Sequence, residues 1–345
     1  MVRKPNFKLL AKGNDITAKI KTNLISLNYE DKEGSESDEI SFVVNGIYAK
    51  PAFGDDLELW LGYYAANEPS SFSNGVTQAN GTTSSSNVLY HCGKFSVQTT
   101  TRDYKANTTE VRATAVNFAS PQKIAKRRSW ENTTLFNIAS KIAGENKLST
   151  KTSGADQPIA SVLQNNISDL DFLYSLCFDY GYIMKVVNNT IVITSKDAKG
   201  DESQTSNTPK NENLPSFEIA LSECESLSIT EANRNSYTAV IVQWHDSKDG
   251  KDKQVKVGNG EQTYKLNIPE PKSDNEAFKK GEAKLNELQR GGINGNLSTT
   301  GRELRAGGKL KITGVAGLKN VEFSIKSVSH NLNTTSYMID VEFEG

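Results

Sequence analysis

Histidine and cysteine are scarce in this sequence, with three of each among 345 residues. The cysteines, Cys92, Cys177 and Cys224, are odd in number and widely separated, and no C-x-x-C pair is present. A disulfide framework, a clustered zinc site and a dithiol redox motif are therefore not expected, and a reducing compartment fits. Cys177 falls in the apolar stripe of an expected helix, where a small buried hydrophobe accounts for it. His91, His245 and His330 lie in or beside expected strands in different parts of the chain. His91 and Cys92 are neighbours on one strand and face opposite sides, which argues against joint ligation. Neither sign of charge dominates: 40 Lys and Arg against 41 Asp and Glu leave a formal net charge of -1. Nothing global draws such a chain to nucleic acid or anionic lipid, and no specific nucleic-acid binding is expected. No apolar run approaches the roughly 18 residues of a membrane span. The basic N-terminal stretch holds no signal-peptide core. The expectation is a soluble chain without a membrane anchor, not exported by the general route. Phosphate-loop, H-E-x-x-H, G-x-S-x-G and strand-linked G-x-G-x-x-G motifs are missing as well.

What the sequence has in abundance is period-two alternation. The length allows two or three domains, each with its own core. Residues 5–65 read as short strands, FKLLAKG, ITAKI, LISLNYED, EISFVVNG and LELWLGYY, punctuated by Gly, Asn, Asp and Pro. Ile40, Phe42 and Val44 share one face, as do Leu57, Leu59, Leu61 and Tyr63. The Ser-, Asn- and Gly-rich segment 65–87 reads as a long loop. Strands resume at VLYHCGKFSVQTTTRD and TTEVRATAVNF and complete a first β domain, 1–118.

The period then changes to about 3.6. Leu135, Ile138, Ala139, Ile142 and Ala143 line one face of a helix over 132–146, with Asn132 or Thr133 as the cap and Gly144 as the left-handed end. A second helix follows in SDLDFLYSLCFDYG, capped by Ser168 with Asp171 three residues on, and ended by Gly181. YIMKVVNNTIVITS reads as a hairpin turning at Asn188 and Asn189. Residues 119–196 are thus an α+β insert, 197–215 a polar linker, and 216–345 a second β domain. That last domain contains one helix, in SDNEAFKKGEAKLNELQRGG, with Ser273 and Glu276 at capping-box spacing and Gly291 and Gly292 at its end.

Candidate chemistry is thin. The pairs Asp55 with Asp56 and Asp169 with Asp171 could in principle supply two carboxylates. The first pair sits at a turn, and the second in the first turn of a helix, where negative charge favours the dipole. Lys123, Lys126, Arg127 and Arg128 form the densest basic cluster, a solvated face or a contact within a complex. Trp60, Trp130 and Trp244 read as core or interface residues. Replacing any one histidine by alanine is expected to leave assembly intact.

The opening FKLLAKGNDITAKI, the block LISLNYEDKEGSESDEISFVV, LELWLGY and CGKFSV resemble the late control D family, the tail-hub proteins of contractile-tailed phages. The likeness is stronger in KRRSWENTTLFNIASKIAGENKL and NNISDLDFLYSLCFDYGYIMKVVNNTIVI, and it continues through AFKKGEAKLNELQRG, AGGKLKITGV and SVSHNLNTTSYMIDVEFEG. Its signature falls on Ser129, Trp130, Leu135, Ile138, Ser168, Asp169, Leu170, Phe172, Leu173 and Gly181, all as structural positions. The resemblance implies a mainly β chain in which two tube-like antiparallel β-barrel domains flank a small α+β domain. It implies a homotrimer forming a pseudo-hexameric ring that adapts a six-fold tail tube to a three-fold central spike. The partners are then the spike protein, the tail tube protein, and tape-measure and other baseplate proteins. The location is the baseplate of a virion or tail-like particle, assembled in the host cytoplasm, and no catalytic residue, cofactor or metal is implied. The hub part of type VI secretion spike proteins is the nearest relation. Ending at Gly345 without a β-helical needle, the sequence is read as a hub with a separate spike. A tail-borne wall hydrolase and a carbohydrate-binding adhesin are the competing classes.

Overall fold

The computed structural model describes residues 3–34, 36–64, 88–115, 124–195, 214–231, 237–289, 293–316 and 321–345. The expected loop at 65–87, the boundary at 118, most of the linker and the helix-ending Gly291 and Gly292 lie outside the described residues.

Alternating sequence becomes sheet where the apolar face finds a partner face. The first barrel contains β1 (Pro5–Ala11), β2 (Asn14–Asp15), β3 (Leu24–Lys32), β4 (Glu39–Asn45), β5 (Asp56–Tyr63), β6 (Val88–Asp103) and β7 (Thr108–Thr114). The pairing order is β3-β4-β7-β6-β5-β1, antiparallel throughout, with β2 folded back on β1. Ile40, Phe42, Val44, Leu57, Leu59 and Leu61 are all buried, as their alternation requires. ITAKI, read as a strand, is instead a short helix, α1 (Thr17–Lys21). The Asp15 carboxylate accepts the Thr17 N–H at 2.8 Å, and Ile20 is the helix's buried residue, so one apolar anchor and a local cap override the alternation.

The insert runs through β8 (Ala125–Thr134), α2 (Leu135–Glu145), β9 (Ser149–Ser153), β10 (Pro158–Ser168), α3 (Asp169–Asp179), β11 (Tyr182–Val187) and β12 (Thr190–Ser195). β8 and β10 form an antiparallel ribbon, and β11, β12 and β9 a three-stranded sheet under both helices. The α2 stripe is the expected one, but its cap is Thr134, whose hydroxyl accepts the Asn137 N–H at 3.2 Å. Asn132 and Thr133 belong to β8, where Thr133 stands opposite Ile159. The left-handed residue after α2 is Lys147, φ 57°, and not Gly144. At the hairpin, Asn188 and Asn189 take φ of 51° and 58°, as a tight turn between right-twisted strands demands.

The second barrel contains β13 (Ser216–Ala220), β14 (Cys224–Glu231), and later β18 (Ile293–Thr300), β19 (Lys309–Thr313), β20 (Glu322–Leu332) and β21 (Tyr337–Glu344). Between β14 and β18 lie β15 (Ala239–Asp246), β16 (Lys251–Gly258), β17 (Thr263–Asn267) and α4 (Asp274–Gln289). Their alternation, within 216–345, predicts strands of the second β domain. They form their own sheet, with Val240, Val242, Trp244 and Val257 packed against Ala277 and Leu285 of α4. Gly281 permits that contact, because a Cβ there would sit 2.6 Å from Val242. Ser273 caps α4 at 3.3 Å from the Glu276 N–H.

The expected fold class holds, but the barrels do not bury separate cores. β20 pairs antiparallel with β3, so one 13-stranded sheet passes through both. Leu27, Tyr29 and Phe95 share a single cluster with Val328, Ile339 and Phe343.

Candidate functional site at the junction of barrels and insert

Three segments of the chain meet around two buried carboxylates. Asp31 lies in phase with Leu27 and Tyr29 on the inward face of β3, and Asp38 immediately precedes β4. From the insert, β11 delivers Lys185, whose ammonium pairs with Asp31 and lies 3.0 Å from Asp38. The Ala306 N–H, in the second barrel, donates to the other Asp31 oxygen at 3.2 Å, and the Lys32 N–H donates to Asp38 at 3.1 Å. Burial pushes the Asp38 carboxyl up to about 7, with Asp31 adding to the rise and Lys185 opposing it. Burial works against the Lys185 charge, but Asp31 and Asp38 outweigh it and hold the ammonium above its ordinary range. One lysine thus ties the insert to the first barrel, and Asp31 carries the link on to the second.

Beside this cluster the β3–β20 seam carries a stack of rings. Tyr29 and His330 lie nearly parallel with centroids 5.2 Å apart. His330 Nδ1 is 3.0 Å from the Tyr90 hydroxyl and 2.9 Å from that of Tyr337. Burial, reinforced by the Arg305 charge, drives His330 down to about 3, so the imidazole is neutral over the ordinary pH range. Arg305 donates to the His91 carbonyl at 2.6 Å. Burial also lifts the thiols, Cys177 to about 12 and Cys92 higher still, far from thiolate reactivity. His91 instead approaches Glu58 at 3.0 Å and Trp60, while exposed His245 pairs with Asp252 at 2.8 Å. The three histidines are therefore not brought together. Among the described residues no group of His, Cys, Asp and Glu is arranged to hold a metal, and no helix is long and apolar enough to cross a membrane.

Several of the residues expected to be structural positions in the insert meet in a second network. Trp130, Leu135, Ile138, Leu170, Phe172 and Leu173 share one core, with the Trp130 and Phe172 rings stacked at 6.2 Å. Ser168 accepts the Asp171 N–H at 3.1 Å and donates to its carboxylate at 2.6 Å. Asp169 is wholly buried yet fully partnered: it accepts from Lys126 at 2.6 Å, Arg128 at 2.8 Å, Gln164 at 3.0 Å and Asn146 at 3.1 Å. Burial would raise its pKa, but these donors outweigh burial and hold it below the ordinary range. Arg128 also grips Glu145 through two bonds and lies 4.3 Å above the Trp130 ring. Lys126 and Arg128 are thus spent inside the insert, which removes half of the basic cluster as a face for partners. Arg127 is exposed, and Lys123 lies outside the described residues. Ser129 stays apart from this core and donates to Glu131 at 3.0 Å. Gly181 takes φ +73° after α3, facing Ala283 of α4. Tyr180, just before it, donates to Glu276 at 2.7 Å and so links the insert to the α4 unit.

Asp55 has a turn role, accepting the Ala52 N–H at 3.0 Å and pairing with Lys12. An open pocket of ≈ 350 Å³ between the insert and the β3–β4 connection is lined by Glu33, Tyr174, Phe178, Asp179 and Met184. Asp31, Asp38, Lys185 and Arg305 were not singled out in the sequence. The available signals were an acid in phase with the apolar residues of LISLNYED and a histidine in phase with Val328 and Leu332.

A family model described as phage tail baseplate hub matches residues 91–336. The probable baseplate hub protein of Escherichia phage P2 is 23% identical over 387 residues, covering 99% of this chain and 93% of that protein. The probable baseplate hub protein of Escherichia phage 186 is 24% identical over 258 residues, covering 73% of this chain and 59% of its own length. Among solved structures, the tail protein from Neisseria meningitidis MC58 superposes with a TM-score of 0.65 at 10% identity, over 99% of this chain and 97% of that one. At that identity the likeness speaks for the fold.

Proposed function

The chain belongs to the phage tail baseplate hub family, and from that premise we propose that three copies close into a pseudo-hexameric ring joining a six-fold tail tube to a three-fold central spike. The supporting observation is that one chain carries two barrels set side by side through the β3–β20 pairing, so three chains present six barrels. The proposed partners are the chain itself, the spike protein, the tube protein, and tape-measure and other baseplate proteins. Assembly is proposed to occur in the host cytoplasm, with the ring resident in the tail baseplate.

The role is structural. His330 is a neutral core residue, Asp169 and Lys185 are engaged with neighbours, and the buried Cys92 and Cys177 thiols are inert, so each of these groups is committed to holding the fold. The expectation that any histidine is dispensable narrows accordingly: it suits exposed His245, whereas His330 fills the core between the barrels.

Light scattering tests the ring. Purified protein, over a concentration series and at varied salt, is expected to reach three times the 37.8 kDa chain mass. A single-chain mass at every concentration, with and without the purified spike protein, sinks the reading.

A further inference from the structure

The two barrels repeat each other at the level of strand pairing. The first is ordered β1-β5-β6-β7-β4-β3 and the second β13-β19-β20-β21-β18-β14, the same path taken twice in chain order. Only the first pair differs in direction: β1 runs antiparallel to β5, and β13 parallel to β19. The irregularities repeat too. β3 shifts register against β4 between Leu24 and Ser26, and β14 shifts against β18 between Cys224 and Ser226. β6 shifts against β7 between Val97 and Thr99, and β20 shifts against β21 between Ile325 and Ser327. Bulges are specific features of a strand pair, so they align the repeats residue by residue: Asp31 with Glu231, Tyr29 with Ile229, His330 with Arg102 and Ser329 with Thr101.

Against this repeat, one pairing has no counterpart. β19 covers β20 only from Glu322 to Ser324, and β3 takes over the same side from Ser327 to Leu332. In the first barrel β5 covers β6 only from Val88 to Ser96, and residues 98–103 have no strand on that side among the described residues. Likewise β3 is flanked by β4 and β20, whereas among the described residues β14 is flanked by β18 alone. Among the described residues β14 and residues 98–103 of β6 thus each keep one side unpaired, and these are the repeat equivalents of the two strands that form the internal seam.

We propose that β14 of one copy pairs antiparallel with residues 98–103 of β6 in a second copy, in the register of the β3–β20 seam. Transposing that seam sets Glu231 opposite Thr100, Thr230 opposite Thr101, Ile229 opposite Arg102, Ser228 opposite Asp103 and Leu227 opposite Tyr104. The side chains suit these positions. Thr100 Oγ1 is buried without a hydrogen-bond partner, and the Glu231 carboxylate arrives beside it. Arg102 gains Glu231 as a diagonal neighbour on the same face, and Asp103 faces the Ser228 hydroxyl. Tyr104, 72% exposed, is covered by Leu227. Residues 214–231 carry four Glu and no Lys or Arg, while 98–105 contribute Arg102 and Lys105. Pairing also removes the unprotected strand edge that would otherwise invite indiscriminate association. Donor and acceptor edges differ, so the contact is head-to-tail and closes by rotation. The proposal rests on the ring reading above and specifies the seam through which the ring closes.

Directly opposed residues in an antiparallel pair have Cα atoms about 4.5–5.5 Å apart, within disulfide reach. Thr101 and Thr230 are both exposed, so Thr101→Cys with Thr230→Cys, in a Cys224→Ser background, leaves the fold undisturbed. Mild oxidation of this full-length variant is expected to give a ladder ending at three linked chains on non-reducing gels. The shifted pair Thr101→Cys with Ile229→Cys, whose side chains fall on opposite faces, is expected to stay unlinked. A three-chain mass without the Thr101–Thr230 link overturns the seam and leaves the ring standing. A single-chain mass with no link at any concentration overturns both.

Discussion

Lys185 is the residue on which the junction turns. Removing one partner from a buried ion pair leaves an uncompensated charge and costs about 3–5 kcal/mol. Lys185→Met leaves Asp31 and Asp38 facing each other, and a fall of that order in unfolding free energy is expected in chemical denaturation. Retention of wild-type stability would show that solvent reaches the carboxylates. The pH profile adds a second check. Asp38 is raised from 3.8 to about 7 in the fold, so the native state binds its proton more tightly. Its contribution is complete below about pH 4 and is lost as pH rises through 7. His330 is lowered from 6.5 to about 3, so the unfolded state binds its proton first, and that contribution is lost as pH falls from 6.5 toward 3. The two oppose each other in the acid range. Asp38→Asn is expected to remove the decline toward neutrality and leave the rise from His330, which denaturation at pH 4, 5.5 and 7 would resolve; an unchanged profile would count against the Asp38 assignment. Much of this was partly legible: an acid in phase with Leu27 and Tyr29 marks a buried charge. Its partner was not, because Lys185 lies 154 positions away in an unrelated hairpin.

At the scale of elements, local chemistry was legible where both ends of a contact lie within a few residues. Ser168 was readable as a cap because Asp171 is three residues on, and the bond forms as expected. The α2 cap falls at Thr134 and not at Asn132 or Thr133 because β8 runs directly into the helix, held by β10, which brings Ile159 opposite Thr133 and Pro158 opposite Thr134. Cap deletions typically cost about 1 kcal/mol. Thr134→Ala and Ser168→Ala are therefore each expected to lower stability by roughly that amount, while Asn132→Gly, which suits the φ of 48° at that position, leaves the α2 cap untouched. Equal losses at Asn132 and Thr134 in denaturation midpoints would contradict the observed helix start. The strands β15 to β17 show the opposite limit. Their alternation announces sheet, but nothing in a period of two says which sheet, and only packing against α4 separates them from the barrel.

At the scale of the whole molecule, the sequence announced two β-rich flanks around an insert but not that they share a sheet, since pairing across some 300 residues leaves no local trace. The same distance makes the internal seam a permanent feature of each folded chain, whereas the proposed seam between chains is present only on association. Amide exchange separates the two. Backbone N–H groups closed into a ladder exchange by opening, and those on a free edge exchange with solvent directly. On dilution from the three-chain form, outward amides of β14 and residues 98–103 are expected to lose protection together. Amides of β3 and β20 should keep theirs until global unfolding, because both strands remain paired within the chain. Loss at β14 without loss at 98–103 would assign its partner elsewhere. Loss at β3 and β20 in step with dissociation would mean that the internal seam itself depends on neighbouring copies, so that the pair of barrels is completed only by assembly.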